Sequence, residues 1–282
     1  MNEAARQRLP AGARRASLAA DATAGQVALI TGGGSGIGRA TAIELARSGA
    51  RVVICGRRAE PLEQTARLIA AEGGECLALS ADVRESAEVK RLLDAALERF
   101  GQLDVLVNCA GGQFQAPAEQ ITDGGFRAVH RLSLEAAFSV TREVAVRAMI
   151  PRRRGLVVFI GFSPARGIPG FAHACAARAA LANLACALAL EWSQYNIRVV
   201  CVAAGTIATE ALEGYGSEAV ARWRRAVPLG RLGDPSEVAS VIAFLASDGG
   251  GYITATTITV DGGADAWGLA EPPPEARAEA TA

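Results

Sequence analysis

Few residues in this chain are equipped for proton chemistry. Its 282 residues include three Tyr (195, 215 and 252), two His (130 and 173) and a single Lys, Lys90; every other basic residue is Arg. The pattern with the clearest chemical meaning is a glycine run. Val27–Thr31 leads directly into Gly32-Gly33-Gly34-Ser35-Gly36-Ile37-Gly38, and a helical pattern starts at once. Glycines allow a backbone to approach a pyrophosphate closely, and a helix N-terminus offers free N–H groups and the positive end of its dipole. A tight turn can also use glycines, but here the strand, the helix and a second strand about 20 residues on are all present. Gly32, Ser35, Gly36, Ile37 and Gly38 are therefore the candidate phosphate cradle.

The second strand, Arg51–Cys55, bears on which dinucleotide would bind. An acid at its end would hydrogen-bond a ribose 2′-hydroxyl, but this chain has Gly56, Arg57 and Arg58. Guanidinium groups suit a 2′-phosphate, so NADP(H) is the expected cofactor. Two solvated surface arginines are the alternative reading of Arg57 and Arg58.

These residues need a scaffold, and hydrophobic patterning supplies one. Strands are expected at Val27–Thr31, Arg51–Cys55, Cys76–Ser80, Val105–Asn108, Leu156–Ile160, Arg198–Ala203 and Thr256–Val260. Helical patterns fall at Gly38–Ser48, Pro61–Glu72, Ala87–Phe100, Phe126–Met149, His173–Gln194 and Pro235–Leu245. Alternating strands and helices of this kind predict an α/β, Rossmann-type doubly wound parallel sheet of about seven strands, with helices on both faces. One domain is expected over residues 25–267, preceded by a flexible leader (1–24) and followed by a loose Pro- and Ala-rich tail (268–282).

Acidic and basic residues balance at 29 each, so no net field favours nucleic acid or an anionic membrane. The most apolar stretch, Ala179–Leu190, is too short to span a bilayer and reads as a buried or interface helix. The six Cys are scattered without a C-x-x-C pair, as expected for buried thiols in a reducing cytoplasm, and no metal site is indicated.

Together these landmarks resemble the short-chain dehydrogenase/reductase family. Thr31-Gly32-x-x-x-Gly36-Ile37-Gly38 is similar to its fingerprint, Asp82-Val83 to its adenine-contacting pair and Asn108-Cys109-Ala110-Gly111 to its N-N-A-G motif. Val227-Pro-Leu-Gly-Arg-Leu-Gly-Asp-Pro-Ser-Glu and Val260-Asp261-Gly262-Gly263 are further landmarks. The resemblance implies cofactor contacts from Asp82, Val83, Asn108, Ala110, Gly111, Gly205, Ile207 and Thr209. It also exposes a departure. The family's Y-x-x-x-K aligns with Ala174-Cys175-Ala176-Ala177-Arg178, so Ala174 replaces the Tyr and Arg178 the Lys. The family's Ser slot falls on Gly161-Phe162 with Ser163 just beyond, and its helix Asn falls on Ser133.

Losing that machinery matters unequally for different reactions. Carbonyl reduction produces an alkoxide that needs a positioned acid, worth about 10²- to 10⁴-fold in rate. Hydride addition to an enoyl thioester instead spreads charge into an enolate, which hydrogen-bond donors can stabilise. The loop Cys109–Glu119 and the stretches Ala176–Ala179 and Gly214–Ser217 look like those of peroxisomal trans-2-enoyl-CoA reductases. The related 2,4-dienoyl-CoA reductases also lack the Tyr but keep the Lys.

The resemblance therefore implies NADPH-dependent reduction of the α,β-double bond of an acyl-CoA such as 1-cyclohexenylcarbonyl-CoA, in a cytoplasmic homotetramer. Arg178 is the candidate to replace the Lys at the nicotinamide ribose, Tyr215 a candidate proton donor from a lid, and Ser163 and Ser133 candidate hydrogen-bond donors. Each has a structural alternative: a solvated or interface Arg, a packing Tyr and satisfied structural hydroxyls. A carbonyl reductase of atypical mechanism and an inactive NADP-binding regulatory subunit stay open.

Overall fold

The computed structural model describes residues 18–163 and 167–267. The tail expected over 268–282 and the first 17 residues of the expected leader lie outside that range. Thr23 is buried, and its hydroxyl donates to the carbonyls of Ser48 (2.8 Å) and Leu45 (3.3 Å), tying the chain to the helix that follows the glycine run.

Seven strands form one sheet: β1 Val27–Thr31, β2 Arg51–Gly56, β3 Cys76–Ser80, β4 Val105–Asn108, β5 Gly155–Phe162, β6 Ile197–Ala204 and β7 Thr256–Val260. Their order is β3-β2-β1-β4-β5-β6-β7, and every pairing is parallel. The order reverses between β1 and β4, which opens a crevice at the strand C-termini where ligands of such sheets bind. Register brings those ends level. Thr31 faces Cys55 on one side and Asn108 on the other, and Ala204 lies between Phe162 and Val260.

The continuous apolar runs follow from burial on both sides. In β1, Val27 and Leu29 belong to one core and Ala28 and Ile30 to the other, because successive side chains point to opposite faces. The helices are α1 Gly36–Arg47, α2 Ala59–Ala71, α3 Ser86–Phe100, α4 Asp123–His130, α5 Ala136–Val144, α6 Ile150–Arg152, α7 Ala172–Trp192, α8 Ser217–Ala226, α9 Pro235–Ala246 and α10 Ala264–Trp267. From α4 to α6 the chain is one helical run, interrupted by π-helical turns at Arg131–Glu135 and Ala145–Met149. The apolar stretch within α7 packs against β5 and β6. Helix α8 lies in the segment read from sequence only as a lid. Its polar composition gives no buried residue, so apolar patterning could not announce it.

Candidate functional site

The glycine run forms its turn through close approach and unusual torsions. Gly32 and Gly36 adopt φ of +71° and +50°, a region L side chains rarely enter. A β-carbon on Gly38 would lie 2.3 Å from the Gly32 carbonyl oxygen, so Gly38 serves the packing of α1 on β1 rather than a cavity wall. Thr31 fixes the neighbouring turn. Its hydroxyl accepts the N–H groups of Cys109 (3.1 Å) and Ala110 (3.0 Å), joining the ends of β1 and β4.

An open cavity of about 1010 Å³ begins at this cradle, at the upper end of the ~300–1,000 Å³ usual for small-molecule sites. Of the residues expected to contact cofactor, its walls include Gly32, Ser35, Gly36, Ile37, Arg57 and Arg58. Asp82, Val83, Ala110, Gly111, Arg178, Gly205, Ile207 and Thr209 line it as well. The chain thus offers what a nicotinamide dinucleotide requires: a glycine backbone cradle, two exposed cations beyond β2, and a buried cation at the far end.

Asn108 is elsewhere. It is buried behind the wall, donating from Nδ2 to the Thr141 hydroxyl at 2.9 Å, and so braces β4 against α5. Asp82 reaches the wall with its carboxylate already engaged. Arg84 grips it through Nε and Nη2 (2.9 and 2.5 Å), and that hydrogen bonding holds Asp82 down at about 2 despite partial burial.

The positions read as catalytic separate into two groups. Arg178 and Tyr215 reach the cavity with polar atoms. Arg178 is buried; its Nη1 donates to the Ile160 carbonyl at 2.5 Å, and its Nε has no partner among the described residues. Burial lowers its pKa, yet a guanidinium stays charged at neutral pH. The adjacent Cys109 thiol is pushed up to about 11 by burial and remains protonated. Tyr215 is half-buried opposite. Its phenol bonds Gln113, burial raises its pKa, and its ring packs against Phe171 (5.8 Å) and Trp223 (5.3 Å).

The two serines are differently placed. Ser163 lines the cavity, but its hydroxyl bonds the Asp261 carboxylate at 2.5 Å and ties β5 to the end of β7. Asp261 is itself held below the usual carboxylate range: burial opposes this, but Ser163 and the N–H groups of Asp265, Gly263 and Ala264 outweigh it. Ser133 is buried in the first π-helical turn, away from the cavity wall, with no hydroxyl partner among the described residues. His173, fully buried, turns its ring onto Phe114 at 4.2 Å and does not line the cavity.

The slot where the family carries Tyr holds a buried methyl and no polar group of its own. Ala174 is buried with Phe171 and Val129, in a cluster against which Phe162, Ile168, Cys175, Tyr215 and Trp223 pack. At the Ser slot, a β-carbon on Gly161 would lie 2.6 Å from the Cys201 sulfur, so that volume is filled by a thiol. Sequence reasoning missed two residues that the geometry makes prominent. Gln113, within the loop noted for its resemblance, holds the Tyr215 phenol. Glu210 lies at the cradle itself: its carboxylate accepts the Gly36 N–H at 3.1 Å. Neither belongs to a recognisable motif, and only their distant partners give them meaning.

Comparison with known proteins agrees with this architecture. A family model described as enoyl-(acyl carrier protein) reductase matches residues 32–265. A probable 2,4-dienoyl-CoA reductase of Bacillus subtilis is 38% identical over 240 residues, covering 83% of this chain and 94% of that protein. The peroxisomal 2,4-dienoyl-CoA reductase of Mus musculus is also 38% identical, over 84% of this chain and 83% of its own. Among solved structures, a citronellol catabolism dehydrogenase of Pseudomonas aeruginosa PAO1 superposes with a TM-score of 0.79 at 40% identity, covering 88% of this chain and 98% of its own. By sheet order, cradle and sequence, this chain belongs to the short-chain dehydrogenase/reductase family of oxidoreductases.

Proposed function

We propose that this protein is an NADPH-dependent reductase of the α,β-double bond of an enoyl-CoA thioester. The observation that carries the reading is the pairing of an apolar Tyr slot at Ala174 with a buried cation, Arg178, and a phenol, Tyr215, that line the same cavity. Such a site lacks the proton donor at the family's Tyr slot but retains donors suited to a delocalised enolate. The dienoyl-CoA reductases named above, 38% identical over the aligned stretch, favour a carbon–carbon double bond of an acyl-CoA. A cyclic acyl group such as 1-cyclohexenylcarbonyl is a specific candidate, with the aromatic wall of Phe171, Tyr215 and Trp223 supplying apolar contact.

NADPH held in the cradle would supply a hydride, with its two electrons, to the β-carbon. The chain's residues then manage the charge that moves toward the thioester oxygen. Arg178 provides a fixed positive charge in a buried site, where water screens it little. Tyr215 donates a proton to the α-carbon, completing saturation of the bond, and is reprotonated from solvent. Arg57 and Arg58 hold the 2′-phosphate of NADPH and so select it over NADH. Arg222, also on the cavity wall, is placed to meet CoA phosphates. The protein works as a cytoplasmic homotetramer.

The test is NADPH and NADH consumption with 2-enoyl-, 2,4-dienoyl- and 3-ketoacyl-CoAs and simple ketones, with product identification. Saturation of a 2-enoyl-CoA with NADPH is expected. Turnover confined to ketones would overturn the reading, and tight NADPH binding without turnover on any substrate would point to a regulatory subunit.

A further inference from the structure

The contact between Glu210 and the glycine cradle joins two parts of the molecule 174 residues apart in sequence. Glu210 opens the segment that runs through the 3₁₀ turn Glu210–Tyr215 into α8. Its Oε2 accepts the N–H of Gly36, the first residue of α1, and its Oε1 lies 3.5 Å from Nη1 of Arg39. Thr209 presses in beside it, its methyl 3.0 Å from where a β-carbon on Gly36 would stand. At the other end of the 3₁₀ turn, Tyr215 is held across the cavity by Gln113. The segment is thus a strap fastened at both ends, one to the dinucleotide cradle and one to the opposite wall. No residue of the 3₁₀ turn or of α8 is fully buried, so these end contacts, with the aromatic cluster, hold it in place.

The N–H group that Glu210 occupies is one that a dinucleotide's pyrophosphate needs. A helix N-terminus favours an anion whatever its source, and one N–H cannot serve a carboxylate and a phosphate oxygen equally well. We propose that Glu210 is a positioning residue, an internal stand-in for the cofactor's pyrophosphate. It latches the strap over the cradle until a dinucleotide displaces it. Displacement frees the Glu210–Ala226 strap at its cradle end while Tyr215 keeps its hold on Gln113. The inference rests on the family's dinucleotide site and not on the acyl substrate proposed above.

Self-competition has a distinctive signature: removing the competitor tightens binding, whereas damage to a site weakens it. The Glu210 side chain is more than half exposed, so substituting it leaves the core intact. Isothermal titration of the full chain with NADPH, NADH and adenosine, comparing wild type with Glu210→Gln and Glu210→Ala, tests the idea. Both variants are expected to bind both dinucleotides about two- to tenfold more tightly, the range expected for a charge at a helix end. Glu210→Ala should gain at least as much, since it leaves no side-chain acceptor. Adenosine, which carries no phosphate, should bind unchanged. Unchanged or weaker dinucleotide binding by both variants would overturn the proposal, as would an equal gain for adenosine. No turnover is read, so failure of the enoyl assignment leaves this experiment intact.

Discussion

Arg178 lies so close above Gly111 that a β-carbon on Gly111 would stand 2.2 Å from its Nη2. The absence of a side chain at 111 and the presence of a long cation at 178 are one arrangement, because the guanidinium occupies the volume a side chain would fill. Gly111→Ala should therefore push Arg178 off its Ile160 anchor. We expect kcat/KM on an enoyl-CoA to fall about 10-fold or more, and Arg178→Ala to cost about 10²- to 10³-fold, the range for removing an oxyanion-stabilising donor. Steady-state kinetics and melting temperatures of both variants check this. Loss of activity in Arg178→Ala with full activity in Gly111→Ala would show that the close approach is incidental.

Tyr215 makes a separable prediction. Tyr215→Phe keeps the ring contacts with Phe171 and Trp223 and removes only the phenol. If that phenol donates the α-proton, kcat/KM should drop about 10²- to 10⁴-fold with little change in stability. Burial raises the phenol's pKa above its usual value, so the donor stays protonated throughout the neutral range. The wild-type pH profile should then show no Tyr215 limb between about pH 6 and 9 and should decline only when alkali ionises the phenol. Full activity in the Phe variant would remove Tyr215 from the mechanism.

The cofactor choice rests on Arg57 and Arg58. Replacing both with Ala should raise KM for NADPH about 10- to 100-fold, in line with losing charge-assisted hydrogen bonds, and leave KM for NADH nearly unchanged. An equal loss for both dinucleotides would mean that these arginines serve the local fold.

Asp82 and Arg84 should leave a mark on acid stability. Because the folded carboxylate titrates at about 2, below its unfolded value near 4, the pair stabilises the fold above pH 4. That contribution is lost as pH falls from about 4 to 2. After allowance for solvent screening it amounts to about 1 kcal/mol. Urea denaturation between pH 2 and 6 should show a smaller acid-dependent loss in Arg84→Gln than in wild type.

Gly161 and Cys201 form a packing pair that explains the vacated Ser slot. Gly161→Ala should destabilise by about 1–3 kcal/mol through overpacking, since its β-carbon would overlap the buried sulfur. Adding Cys201→Ala should recover much of that loss, a coupling that a double-mutant cycle measures directly.

The sequence by itself determined the sheet, the cradle and the missing Tyr and Lys. Strand positions were legible because burial on both faces writes continuous apolar runs into the chain, and the cradle because only glycine tolerates φ near +71° at Gly32. Only the tertiary structure decided what each candidate side chain does. Ser163 lies just beyond the family's Ser slot, Ser133 stands in its helix Asn slot and Asn108 keeps its motif position, yet the fold bonds Ser163 to Asp261, encloses Ser133 in a π-helical turn and turns Asn108 toward Thr141. Gly38 looked like part of the cradle, and the fold uses it to seat α1 against the Gly32 carbonyl. Glu210 carried no sequence signal, yet it is bound at the cradle. The reason is range: periodicity and torsional tolerance are properties of neighbouring residues, whereas a hydrogen bond from Gly36 to Glu210 exists only once the sheet has brought their loops together.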